Sequence, residues 1–141
     1  MGTELTARRR PVGQESLFRA SRELERVLES AAQTEAWFAA AHAAVRGGVV
    51  AVEARLHAVM GANGLGGEIT TREPRLLPAL GKLEADLARL LVDFWEASAM
   101  PAERRPALAP HLVTLAAEMR AVAGEEFDLV VETANPPGGQ D

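Results

Sequence analysis

Leu76, Leu80, Leu83, Leu87, Leu90 and Phe94 recur at alternating steps of four and three residues, and Ser98 lies one step further on. Such steps place all of these residues on one face of an α-helix, whereas a strand would send them alternately to both faces. A stripe this apolar must be buried against other elements. The chain supplies three more stretches of helical periodicity that could cover it.

In the first of these, Leu17, Leu24, Leu28 and Ala31 recur among Glu and Arg, with Ser16 placed to act as an N-cap. Thr34 offers a fresh N-cap for a second helix, whose apolar face reads Trp37, Ala41, Val45, Val52, Leu56 and Val59. Gly47 and Gly48 interrupt that face, each at about 1 kcal/mol relative to alanine in a helix interior. Either a close backbone approach to a neighbour or a local break would account for them. The stripe opened by Leu76 belongs to a third helix that should begin near Pro74, because the missing N–H of proline costs nothing in a first turn. After the Met100-Pro101 corner, Pro101, Pro106 and Pro110 make the start of a fourth helix irregular, with regular structure expected from about Leu112. Its inner face would be Leu112, Leu115, Met119, Val122, Leu129 and Val130.

Tyrosine is absent and β-branched residues rarely cluster, so composition agrees with an all-α chain. Long helices joined by short connections stack side by side, which predicts an antiparallel up-down-up-down four-helix bundle. The expected organisation is a tail over 1–13, the bundle over 14–133 and a second tail over 134–141. A chain of 141 residues that is 48% apolar can bury one sizeable core. With no cysteine there are no disulfides, thiolate metal sites or thiol nucleophiles, which fits a reducing cytosol. No apolar run approaches the roughly 20 residues of a membrane span, and no hydrophobic region follows the arginines of MGTELTARRR as it would in a signal peptide. The expected location is therefore the cytoplasm, with no membrane partner. At a net charge of −5, with Arg8-Arg9-Arg10 and Arg104-Arg105 as the basic clusters, no nucleic-acid footprint is present.

Few residues look chemical. Gly61, Gly64, Gly66 and Gly67 invite comparison with phosphate loops, but no Gly-Lys-Ser/Thr follows them and a helix, not a strand, precedes them. Bundles of four helices build metal sites from inward Glu, Asp and His, so His42, His57 and His111 come next. Glu53 and His57 are four apart and could share an ion, although such a pair is more often a surface contact. No Glu-x-x-His occurs, and the central positions of the third and fourth helices are hydrocarbon. Ser16, Ser21, Ser30 and Ser98 have no histidine and acid partners for nucleophilic catalysis. Trp37 and Trp95 read as core residues or as the lining of a pocket.

Three stretches resemble the hemerythrin-like family of small bacterial four-helix bundles. GANGLGGEI with the following EPRL, Gly61 to Leu76, resembles the corner between that family's second and third helices. LEADLARL, Leu83 to Leu90, resembles its third-helix Leu-x-x-Glu-His-x-x-Leu, and DLVVETANPPGGQD, Asp128 to Asp141, its C-terminal ending. The resemblance implies a bundle that typically holds two irons through histidines and carboxylates and binds or senses dioxygen. Matched position by position, Asp86 stands for the acid of Glu-His, Leu87 takes the histidine's place, and Val122 lies near the place of the fourth-helix histidine. In the second helix His57 lies close to the ligand position, whereas a gapless match puts Arg55 there. The sequence thus predicts a non-enzymatic bundle with a degenerate metal site, no di-iron cofactor, and an unknown protein or small apolar ligand as partner. The alternative is an iron-dependent oxygen carrier or sensor using a rearranged set of Glu53, His57, Glu118 and Asp128. Self-association through an apolar strip including Phe38 or Trp95 is compatible with either.

Overall fold

A computed structural model describes residues 12–30 and 34–134, and all regular structure among them is helical. The five α-helices are α1 (Val12–Leu28), α2 (Glu35–Met60), α3 (Leu65–Arg72), α4 (Leu77–Ser98) and α5 (Arg105–Ala134), with 3-10 turns over Pro74–Leu76 and Ala102–Arg104. Four of them are long, and their packing closes a ring in which α1 touches α2, α2 touches α4, α4 touches α5 and α5 returns to α1. No helix among the described residues is long and apolar enough to cross a membrane. The expected tails, 1–13 and 134–141, fall almost wholly outside the described residues, as does Ala31.

The core is the leucine stripe of α4 and what it meets. Leu76, Leu80, Leu83, Leu87, Leu90 and Phe94 are all buried, and Ala97 takes the place expected of Ser98. From α5 come Leu108, Leu112, Leu115, Met119, Val122 and Leu129, and from α1 Leu17 and Leu24. Each such side chain removed from water contributes about 1.5–3 kcal/mol. This hydrocarbon is what holds the ring closed.

Helix ends follow local chemistry, with some departures from expectation. Thr34 caps α2 by accepting from the Trp37 N–H at 3.1 Å. The Trp37 indole then donates to the Val27 carbonyl at 3.0 Å, tying the start of α2 to the end of α1. Ser16 is not an N-cap, because α1 is already running from Val12. The fourth long helix is regular from Arg105, seven residues before Leu112. Pro110 sits inside the helix, in its second turn, and cannot donate to the carbonyl of Pro106.

The glycines resolve differently in two places. At Gly47-Gly48 the helix does not break: a Cβ on Gly48 would overlap the Phe94 ring, so its absence lets α4 seat an aromatic against the α2 backbone. In the corner after α2, the sequence predicted only a turn, yet α3 lies there. No described glycine has positive φ. Cβ atoms on Gly64, Gly66 and Gly67 would instead run into the carbonyls of Ala58, Val59 and Ala62. These glycines serve a close backbone crossing rather than an unusual backbone angle.

Candidate functional site

Arg55 occupies the inner face of α2, in the run of buried residues from Val45 through Val52 to Val59. The periodicity of α2 pointed to Leu56 for that face, but Leu56 is only half-buried and its neighbour turns inward. On α5 the inner face carries a second surprise: Glu126 is 0% exposed. Arg55 Nε approaches Glu126 Oε2 to 2.6 Å, with the guanidinium side chain 10% exposed.

The helices that carry this pair, α2 and α5, are not neighbours in the ring of packing contacts. The long arginine side chain therefore reaches diagonally through the bundle, with Val52 and Val59 one turn to either side on α2 and Val122 and Leu129 likewise on α5. Burial pushes the Glu126 carboxyl above its ordinary range, and the guanidinium opposes that push by charge and contact. The carboxylate accepts no hydrogen bond of good geometry, so the pair is held by Coulombic attraction at close range. A guanidinium stays protonated at any pH a protein meets and has no lone pair to give a metal. What it does here is neutralise one buried carboxylate without coordination.

The other residues singled out by sequence lie elsewhere. Glu53 and His57 are exposed on α2, beside an open groove that also involves Leu56, Met60 and Leu91. Asp128 is exposed and Glu118 half-buried on α5. Burial and the neighbouring Asp93 raise the Glu118 carboxyl above its usual value. Among the described residues, no three His, Asp or Glu side chains gather in a way that could hold a metal ion. His42 is half-buried against the Phe38 ring, at 4.4 Å between centroids. Leu87 and Val122 are core residues, at 0% and 6% exposure. Trp37 is core, whereas Trp95 is half-exposed.

Two surface features accompany the interior pair. Between α1 and α2 runs an apolar groove of about 630 Å³, floored by Ala40, Ala44, Gly47 and Ala51 and rimmed by Arg19 and Arg26. Along the α4–α5 seam lies a second groove, lined by Leu76, Ala79, Lys82, Glu125 and Asp128. Sequence reasoning missed Glu126 because Gly124-Glu125-Glu126-Phe127 looks like a polar break in the α5 stripe. The one available signal was its place in that stripe, four residues after Val122 and three before Leu129. No protein-family model matches the chain, and neither the curated proteins nor the solved structures give a match.

Proposed function

We propose that this chain is a non-enzymatic binding bundle of hemerythrin-like ancestry in which the di-iron centre has been replaced by packing and an ion pair. The observation that carries this reading is Arg55 inside the bundle. A gapless match of the glycine corner puts it at a ligand position, and it sits against the buried carboxylate of Glu126. A fixed cation there repels a metal ion and satisfies the acid that would otherwise attract one. Leu87 at a second ligand place, and Val122 near a third, add hydrocarbon, which cannot coordinate. The residues present do not fit a di-iron cofactor.

The rearranged set of Glu53, His57, Glu118 and Asp128 finds no support in the geometry, since three of the four are exposed and they do not gather. An antiparallel order of α4 and α5, as in an up-down-up-down bundle, is supported by ion pairs that run in opposite sense along them, Arg75 with Glu132 and Lys82 with Glu125. Within this reading the apolar groove between α1 and α2 receives a small apolar ligand.

Two measurements test the proposal. Metal analysis after expression with abundant iron should find none bound in stoichiometric amount, and about two irons per chain with an oxo-bridge absorption would end the reading. A fluorescent apolar probe such as anilinonaphthalene sulfonate should bind the folded chain and be lost in Gly47→Phe, because a Cβ at Gly47 meets no atom within 4 Å and the phenyl ring beyond it would occupy part of the groove. Equal binding by both proteins would remove the groove from the account.

A further inference from the structure

The groove between α1 and α2 is lopsided in charge. Its α2 wall, from Ala40 to Ala54, carries no charged residue, whereas its α1 wall carries Arg19, Glu23 and Arg26. Glu23 is taken up by Arg26, at 3.0 Å. Among the described residues, Arg19 is paired with no carboxylate. One guanidinium therefore stands unopposed beside an apolar floor, in a chain whose net charge is −5.

The groove also has a direction. The Trp37 indole bonded to the Val27 carbonyl marks one end of it, with Arg26 next to Val27. Arg19 lies seven residues back along α1, about 10 Å away by helix rise. Along α2 the run from Ala40 to Ala54 extends for about 21 Å. The volume of about 630 Å³ falls within the roughly 300–1,000 Å³ of small-molecule sites. The packing of the chain does not require this hollow. A Cβ on Gly47 would meet no atom within 4 Å, whereas one on Gly48 would overlap the Phe94 ring. Glycine inside a helix weakens it, so Gly47 keeps the floor low without any contact demanding it.

We propose that the occupant of this groove is a free single-chain amphiphile with an anionic head, of the fatty-acid class. Its carboxylate pairs with Arg19, and its hydrocarbon tail lies along the α2 floor towards Val27 and Ala40. The proposal rests on the groove being the ligand site and adds the charge of the head group. A guanidinium suits a carboxylate because its planar fork can donate to both oxygens at once. A neutral head leaves Arg19 unused, and a cationic head is repelled by it. Burial of the tail supplies most of the affinity, and Arg19 supplies the choice of head.

Isothermal titration calorimetry of the full chain at low salt, with decanoate and with decyltrimethylammonium below their micelle concentrations, tests this. The two probes share a tail and differ in head charge. The wild type should bind decanoate about five-fold more tightly than the cation, even though the net charge of −5 favours the cation. In Arg19→Gln that preference should fall to about two-fold or less. In Gly47→Phe decanoate binding should be lost. Equal binding of the two probes by the wild type, or a preference kept in Arg19→Gln, overturns the head-group assignment and leaves the groove reading standing. Decanoate bound equally well by Gly47→Phe places the anion elsewhere and overturns the proposal too. No binding of either probe overturns the groove reading along with it. Arg19 is exposed, so Arg19→Gln leaves the fold intact and the test does not depend on how Gly47→Phe folds.

Discussion

The inner face of α4 and the inner face of α2 do the same job by different means. On α4, every buried residue from Leu80 to Ala97 is hydrocarbon, and all of these positions but Leu91 and Ala97 follow from the spacing of the stripe. On α2, the buried set includes Gly48 and Arg55, neither of which an apolar pattern selects. The difference is that α4 offers generic material, which is stable against any greasy neighbour, while α2 is cut to fit particular partners. Gly48 makes sense only opposite Phe94, and Arg55 only opposite Glu126. A face that is specific to its partners tolerates one-sided change less well than a generic one.

That contrast can be broken most forcefully at the ion pair. Arg55→Met leaves Glu126 buried without a counter-charge and should cost about 3–5 kcal/mol in urea denaturation. Arg55→Met/Glu126→Leu should recover the loss and can exceed the wild type by about 1–4 kcal/mol, because two desolvated charges give way to hydrocarbon. If the double variant is no more stable than the single one, the pair is not a coupled unit.

On the generic face, Leu87→Ala should cost about 2–5 kcal/mol by loss of burial and creation of a cavity. Leu87→Met should cost under about 1.5 kcal/mol, since α4 asks only for hydrocarbon of similar volume. A Leu87→Met loss as large as that of alanine would mean that α4 is as closely fitted as α2.

The adjacent glycines of α2 sharpen the comparison at smaller scale. Gly48→Ala puts a methyl into the Phe94 ring and should destabilise by about 1–3 kcal/mol in thermal or urea unfolding. Gly47→Ala meets no atom and should stabilise by about 0.5–1 kcal/mol through helix propensity. The opposite signs at neighbouring positions are the expected outcome. Equal signs would mean that α2 and α4 do not come into close contact at Gly48.

The smallest effect is at the start of α2, where Thr34→Ala removes the cap on the Trp37 N–H and should cost about 1 kcal/mol. Because the Trp37 indole still donates to Val27, the junction with α1 should survive, as tryptophan fluorescence would report.

The sequence by itself determined the helical class, the four long helices, the Thr34 cap and the larger part of the hydrocarbon core, though not Leu65, Ile69, Leu91 or Leu108. The physical reason is that these depend on the spacing of apolar groups and on local hydrogen bonds, which a chain carries with it before it folds. It also located the glycine corner while misreading its content, since α3 exists only because Gly64, Gly66 and Gly67 let it press against the carbonyls of Ala58, Val59 and Ala62. The tertiary structure alone decided that Arg55 turns inward in place of Leu56, that Glu126 is buried at all, and that Lys82 of α4 reaches Glu125 of α5. Spacing can set a charged residue on an inward face, as it does Glu126, but it does not say whether the charge is buried there. Such burial is settled by whether a partner of opposite charge waits on a helix far away in the chain.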